Sequence, residues 1–183
     1  MFRRRQCGVT MKQKIYRISE GKTEKIKLIT DHSFDLEVIF QGKNSSAEIV
    51  VLVMPKPYTN ITIRTKQIHK YPHSKSNLLI RSVIPDGSTV DYVGTIRIEK
   101  NAFQSDAYQK NETMLLGDTA RIHTSPILEI LNHDVKCTHG ATSKPIPEEE
   151  LLYLQSRGIP RFQARGMIIR GFIDDIIKNN VYD

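Results

Sequence analysis

Cys137 and His139 are the residues of this chain whose types and spacing could do chemistry. They lie two positions apart in PILEILNHDVKCTHGATSKPIPEEELLYLQSRG (126–158). On an extended strand side chains alternate faces, so a thiol and an imidazole at this spacing project the same way. Their Cα atoms are then about 7 Å apart, close enough for both to reach one metal atom or cluster. Lys136 and Thr138 take the opposite face. A Cys-x-His pair is not a zinc signature, because tetrahedral sites recruit four ligands at C-x2-C or H-x3-H spacings. From spacing alone, Cys137 reads as an inert buried thiol and His139 as a hydrogen-bonded turn residue, with ligation as the alternative. A Cys-His nucleophilic dyad is a further chemical option, although no third orienting group or oxyanion loop is visible. His123, in RIHTSP, is a weaker candidate that reads first as structural. Glu129 alternates outward from Leu128 and Ile130, which suits a solvated face. His69 and His73 flank a Pro-containing turn and are assigned no metal.

The segments that must position these groups are of one kind. The runs 24–30, 34–40, 46–54, 60–68, 77–84, 89–99 and 120–130 alternate, are rich in Val, Ile and Thr, and are separated by turn residues. A spacing of roughly ten residues with no intervening helix predicts a sandwich or a solenoid. After them, Pro147 at a first helical position, Glu148, Glu149 and Glu150 in the first turn and Gly158 as the stop predict a helix. Pro160 opens a second helix. Over 161–178, Phe162, Met167, Ile168, Ile169, Phe172, Ile173, Ile176 and Ile177 form an apolar surface wider than one core-facing stripe, so that part of it is free to dock a partner. Gly166 and Gly171 within it each cost about 1 kcal/mol relative to Ala, which close approach of another backbone would offset.

Composition narrows the function classes. The 183 residues suit one compact domain, and 39% apolar content with a mean hydropathy of −0.38 points to a water-soluble fold without a membrane span. Two cysteines, Cys7 and Cys137, give no disulfide framework and fit a reducing compartment. The formal charge of +7 is uneven, with 19 Lys/Arg against 10 Asp/Glu in 1–110 and 8 against 10 in 111–183. Because the basic residues are spread along alternating strands, a solvated face is expected rather than a nucleic-acid groove. The start, MFRRRQCGVTMK, is basic and lacks an apolar region, so it does not read as a secretory signal. Arg3, Arg4 and Arg5 make only a short basic arm. Met11 is an alternative start to Met1.

SNLLIRSVIPDGSTVDYVGTIRIEKNAFQSDAYQKNETMLLG (76–117), HTSPILEI (123–130), DVKCTHGAT (134–142), EEELLYLQSRGI (148–159) and GFIDDII (171–177) together resemble the SufB/SufD family. These are scaffold subunits of the SUF iron-sulfur cluster assembly system, and the likeness is greater to the SufD branch. The resemblance implies a mainly β fold, a right-handed parallel β-helix (β-solenoid) with a C-terminal helical segment. It divides the chain into a basic N-terminal arm (1–11), a β-helix core (12–146) and the helical segment (147–183).

The resemblance further implies a noncatalytic, cytoplasmic assembly subunit rather than an enzyme. Its partners would be a SufC-type ABC ATPase, held by the C-terminal helices, and a SufB-type scaffold subunit or a second copy of itself. Leu151, Leu154, Phe162, Met167, Ile168, Phe172, Ile173 and Ile176 are the corresponding docking candidates. A transient iron-sulfur cluster at the subunit interface is expected, with no tightly bound cofactor and no flavin motif. His139 stands where the HGAT histidine takes part, and Cys137 is the accompanying candidate ligand. In NETMLL (111–116), Asn111 stands where SufB-type sequences carry a cysteine, so the chain should not act alone as a SufB-type scaffold. The chain is also less than half the usual family length. A β-solenoid interaction module that has lost cluster chemistry is the alternative.

Overall fold

The computed structural model describes residues 11–177. Residues 1–10, with Cys7 and the basic arm, and residues 178–183 lie outside them. Ten strands precede two helices: β1 Lys12–Ile18, β2 Thr23–Thr30, β3 Phe34–Phe40, β4 Ser46–Val53, β5 Asn60–His69, β6 Lys75–Ile84, β7 Thr89–Ile98, β8 Asp106–Leu115, β9 Arg121–Ile130 and β10 Lys136–Pro145, then α1 Glu148–Ser156 and α2 Arg161–Ile177. Odd strands stack in parallel as β1-β3-β5-β7-β9, and even strands as β10-β8-β6-β4-β2. Each consecutive odd-even pair is one rung, and five rungs make a β-solenoid. Of the two architectures left open by periodicity, stacked parallel strands select the solenoid.

Register runs straight along the stack. Phe34 pairs with Ile63, Ile63 with Tyr92, and Tyr92 with Thr124. The inward residues therefore form columns, and the columns change character along the axis. One reads Leu36, Thr65, Gly94, Pro126, and another Ile26, Ile49, Leu78, Gln109, His139. The early rungs are filled by Ile26, Phe34, Leu36, Val38, Ile49 and Val51, all buried. The later rungs, beside Ile63, Leu78 and Ile80, also bury Thr65, Gln67, Gln109, Asn111 and Thr113.

This drift explains which strands periodicity missed. β8, DAYQKNETML, points Gln109, Asn111 and Thr113 inward, so it carries no apolar alternation. β1 escaped for a different reason, because Lys12, Gln13 and Lys14 before Ile15 are all exposed and leave no apolar alternation. The segments 120–124 and 126–130 form one strand, β9, which runs through Pro126. Pro126 is tolerated because β9 is an edge strand with a neighbour on one side only.

Corners between strands use left-handed residues. Asn44, His73 and Gln104 have φ of 55, 57 and 54°, and each precedes a buried serine: Ser45, Ser74 and Ser105. The serine carbonyls accept from the next rung: Lys75 N to Ser45 O, Asp106 N to Ser74 O and Lys136 N to Ser105 O, each 2.9 Å. His69 closes the same corner from inside. Its Nδ1 lies 2.7 Å from Ser74 Oγ, its Nε2 2.9 Å from Ser76 Oγ, and its ring stacks on Phe40 at 4.3 Å. Burial pushes its pKa down to about 3.

The helices fold back on the outer face of the even-stranded sheet. Pro147 is the N-cap of α1, one position before the first helical residue, and Gly158 (φ 81°) follows the cap at Arg157. Arg161 forks onto Glu148 at 2.8 and 3.2 Å, joining the two helices. Arg81 anchors α2 by donating to the Phe172 carbonyl at 2.7 Å, with its guanidinium 5.0 Å from that ring, while its Nε meets Glu112 at 2.7 Å. Lys110 meets the other Glu112 oxygen at 2.6 Å. Burial alone would raise the Glu112 carboxyl, but the hydrogen bonds from Lys110 and Arg81 outweigh it and hold the pKa below its ordinary value. Arg165 donates to the Leu116 carbonyl. Gly166 and Gly171 have open space where a Cβ would stand, so among the described residues no backbone approaches them.

Two measurements check this packing. At Gly94 a Cβ would lie 2.2 Å from Gln109 Nε2 and 2.4 Å from Tyr92 Oη. Gly94→Ala should therefore lose about 1–3 kcal/mol in urea unfolding. Gly140→Ala, whose nearest neighbour is the Tyr108 hydroxyl at 4.0 Å, should lose far less. His69 gives a pH dependence of definite sign. Its folded pKa lies below its unfolded one, so the unfolded chain takes up the proton first and stability falls as pH drops from about 6.5 towards 3. Between pH 7.5 and pH 5 this removes about 2 kcal/mol, and His69→Asn should show a shallower dependence in denaturation series at the two pH values.

Candidate functional site

The last rung carries the predicted pair. Cys137 is in register with Ala107 and His139 with Gln109, both buried inward positions, so thiol and imidazole share the inward column of β10 as their spacing predicts. Lys136 and Thr138 stand opposite the outward Asp106 and Tyr108 and are exposed. No rung follows β9 and β10 among the described residues. The inward column of the fifth rung is therefore the floor of an open end, which leaves His139 exposed. Cys137 is half-buried against Ile96, Ile98, Ala102 and Ala107, with Val135 beside it.

That setting disfavours a thiolate. Burial pushes the Cys137 thiol above its ordinary value, and no neighbouring cation offsets it. Burial thus favours the protonated thiol over the thiolate at Cys137. Among the described residues, no group of three or more His, Cys, Asp and Glu side chains gathers closely enough to hold a metal ion. The pair supplies at most two donors from one end of the solenoid.

The other candidates separate from it. His123 is in register with Asp91 on the outward face of the odd-stranded sheet and is exposed, so it does not join Cys137 and His139. Glu129 faces outward too, 3.4 Å from Arg97 Nη1. Asn111 is buried in β8, donating from Nδ2 to Thr124 Oγ1 at 3.1 Å and accepting from Thr113 Oγ1 at 3.4 Å. An amide at this position ties the even-stranded sheet to the odd-stranded one.

The docking candidates divide by burial. Leu151 and Ile176 are buried within the chain and hold the helices in place, so neither presents a free surface. Phe162 is 86% exposed and Met167 51%, while Leu154, Ile168, Phe172 and Ile173 are partly covered. An open groove of about 410 Å³ lies between the helices and the last strands, lined by Met114, Lys144, Leu154, Met167, Ile168 and Phe172. A second apolar surface surrounds Phe162, Met167 and Ile169. No described helix is long and apolar enough to cross a membrane.

A thiol reagent tests the Cys137 environment directly. The rate of labelling should reach half its maximum at a pH above that of a free cysteine, and unfolding in denaturant should bring the midpoint back down.

Sequence comparisons extend these observations. Residues 28–172 match the family model described as SUF system FeS cluster assembly, SufBD core domain. The chain is 35% identical over 137 residues to the iron-sulfur cluster assembly protein SufD of Escherichia coli K12, covering 75% of this chain and 32% of that protein. It is 34% identical over 149 residues to the iron-sulfur cluster assembly SufBD family protein Mb1497 of Mycobacterium bovis, covering 76% and 37%. To the chloroplastic SufBD family protein ABCI8 of Arabidopsis thaliana it is 29% identical over 141 residues, covering 77% and 25%. The chain thus spans between 25% and 37% of the length of these three relatives. With a family match across most of its rungs and a stack of parallel strands beneath it, this chain belongs to the SufB/SufD family of the SUF iron-sulfur cluster assembly system and is SufD-like.

Proposed function

We propose that the chain acts as a noncatalytic SufD-like subunit that contributes His139, with Cys137 beside it, to a transient iron-sulfur cluster built against a second scaffold chain. The observation that carries this reading is the placement of both donors on the inward column of an open-ended last rung. A cluster is held mainly by thiolates, with histidine an occasional substitute. Two donors at an open end therefore need a second chain for the rest, and the cluster is cargo passed on rather than a resident cofactor. Asn111 in the position of the SufB-type cysteine supports a partner that brings its own thiol.

The exposed Phe162 and Met167, together with the groove beside them, support docking of a SufC-type ATPase on α2. Large apolar side chains on a surface otherwise held by ion pairs mark an interaction site. Open space above Gly166 and Gly171 lets a partner approach the helix backbone closely. The partner scaffold is a SufB-type subunit or a second copy of the chain, and the setting is cytoplasmic, without membrane or nucleic acid.

Anaerobic co-expression with the host's SufC-type and SufB-type proteins, followed by mass determination of the eluted complex, tests both halves. Phe162→Ala should weaken ATPase binding about thirtyfold, a loss of about 2 kcal/mol, while leaving the thermal melt of the isolated chain unchanged. His139→Ala should preserve the complex and abolish the cluster absorbance. A complex that loads cluster equally well with His139→Ala leaves the chain as an interaction module, and a chain that elutes alone removes the docking assignment.

A further inference from the structure

The inward columns of the third and fourth rungs leave three buried polar atoms without protein partners. Gln67 is 1% exposed, and both its Oε1 and its Nε2 lack a hydrogen bond; Gln109 is 3% exposed, and its Oε1 lacks one. Because both ends of the Gln67 amide are unpaired, turning the amide over changes nothing. Leaving such a group dry forfeits its hydrogen bonds to water, so native interiors supply a partner, either protein or ordered water.

The surroundings are those of a wet site. Thr65 Oγ1 and Tyr92 Oη are 2.9 Å apart in the same lumen, and the Tyr92 hydroxyl and Gln109 Nε2 both converge on the space above Gly94. Thr65 and Gly94 share one inward column, and Gln67 stands one inward position further along β5. Gln67 (β5) and Gln109 (β8) therefore belong to facing sheets, one rung apart, and Gln109 Nε2 reaches the space above Gly94, the position one rung on and one inward step back from Gln67. In the column of Gln67 the neighbours are Val38 and Ile96, and the rung below Gln109 holds Leu78, none of which offers a hydrogen bond.

We infer that the distal half of the solenoid lumen is a hydration site, in which ordered water bridges the Gln67 amide to Gln109 Oε1. The site is absent from the early rungs, where the same columns hold Leu36, Val38, Ile26 and Ile49. It ends one register position from His139, the next member of the Gln109 column. The inference rests on buried amides alone and stands independently of cluster chemistry and of docking.

A high-resolution crystal structure of the chain should show water within hydrogen-bond distance of both Gln67 and Gln109; a dry site, or amides rotated onto protein partners, overturns the inference. Thermal melts supply the second readout. In a hydrated site Gln67→Met strands the water and Gln109, lowering the Tm by about 3–8 °C, and the Gln67→Met/Gln109→Met double variant loses less than the sum of the two singles. In a dry site Gln67→Met removes two orphaned atoms, so an unchanged or raised Tm, or strictly additive losses, rejects bridging water.

Discussion

Everything in this molecule depends on straight parallel register from rung to rung. A strand in such a stack satisfies its backbone only through the rungs above and below it, so a slip of one residue would turn every inward side chain out to solvent. The corners hold the register. Asn44, His73 and Gln104 adopt the left-handed conformation, which for residues other than glycine costs of order 1 kcal/mol. Each is followed by a buried serine whose carbonyl receives the first amide of the next rung. His69 reinforces the middle of this line by occupying both ring nitrogens with serine hydroxyls, which a buried neutral imidazole can do with one donor and one acceptor.

Because the stack provides the backbone hydrogen bonds, the interior is free to change its chemistry. The first two rungs fill the lumen with branched apolar side chains, and the next two mix threonine, glutamine and asparagine among theirs. Nothing in the strand geometry alters, since Val38 and Gln67 occupy equivalent places in one column. The candidate ligands Cys137 and His139 sit where this progression meets solvent. Burial against Ile96 and Ile98 raises the pKa of the Cys137 thiol there, while His139 on the same column is exposed.

Much of this was legible in the sequence, and the reason differs by element. β3 appears in its full extent because Phe34, Leu36 and Val38 alternate with Asp35 and Glu37 before Ile39 and Phe40, and the two helices announce themselves by prolines, a glutamate triplet and Gly158. β8 and β10 were not legible from periodicity, since their inward positions are Gln109, Asn111, Thr113, Cys137 and His139. Alternation signals a strand only while the interior is apolar. The shared face of Cys137 and His139 followed from a two-residue spacing and needed no tertiary information. The division of the helical residues did need it. Leu151 and Phe162 are equally apolar in sequence, and only the fold of α1 and α2 onto the sheet buries the first and exposes the second.

The anchoring of α2 has a mechanical side. The helix leaves the chain after the fifth rung, yet its bonds run to Arg81 in the third and to Leu116 at the close of the fourth. A pull on α2 therefore enters the stack at Arg81 and Leu116 as well as through the backbone into β10, the strand that carries Cys137 and His139. Glu112, gripped by both Arg81 and Lys110, spreads that load across β6 and β8. Glu112 is next in sequence to Asn111, whose amide reaches across the lumen to Thr124 in β9. Tension on the helix thereby reaches the final rung by two routes, along the backbone into β10 and across the lumen into β9.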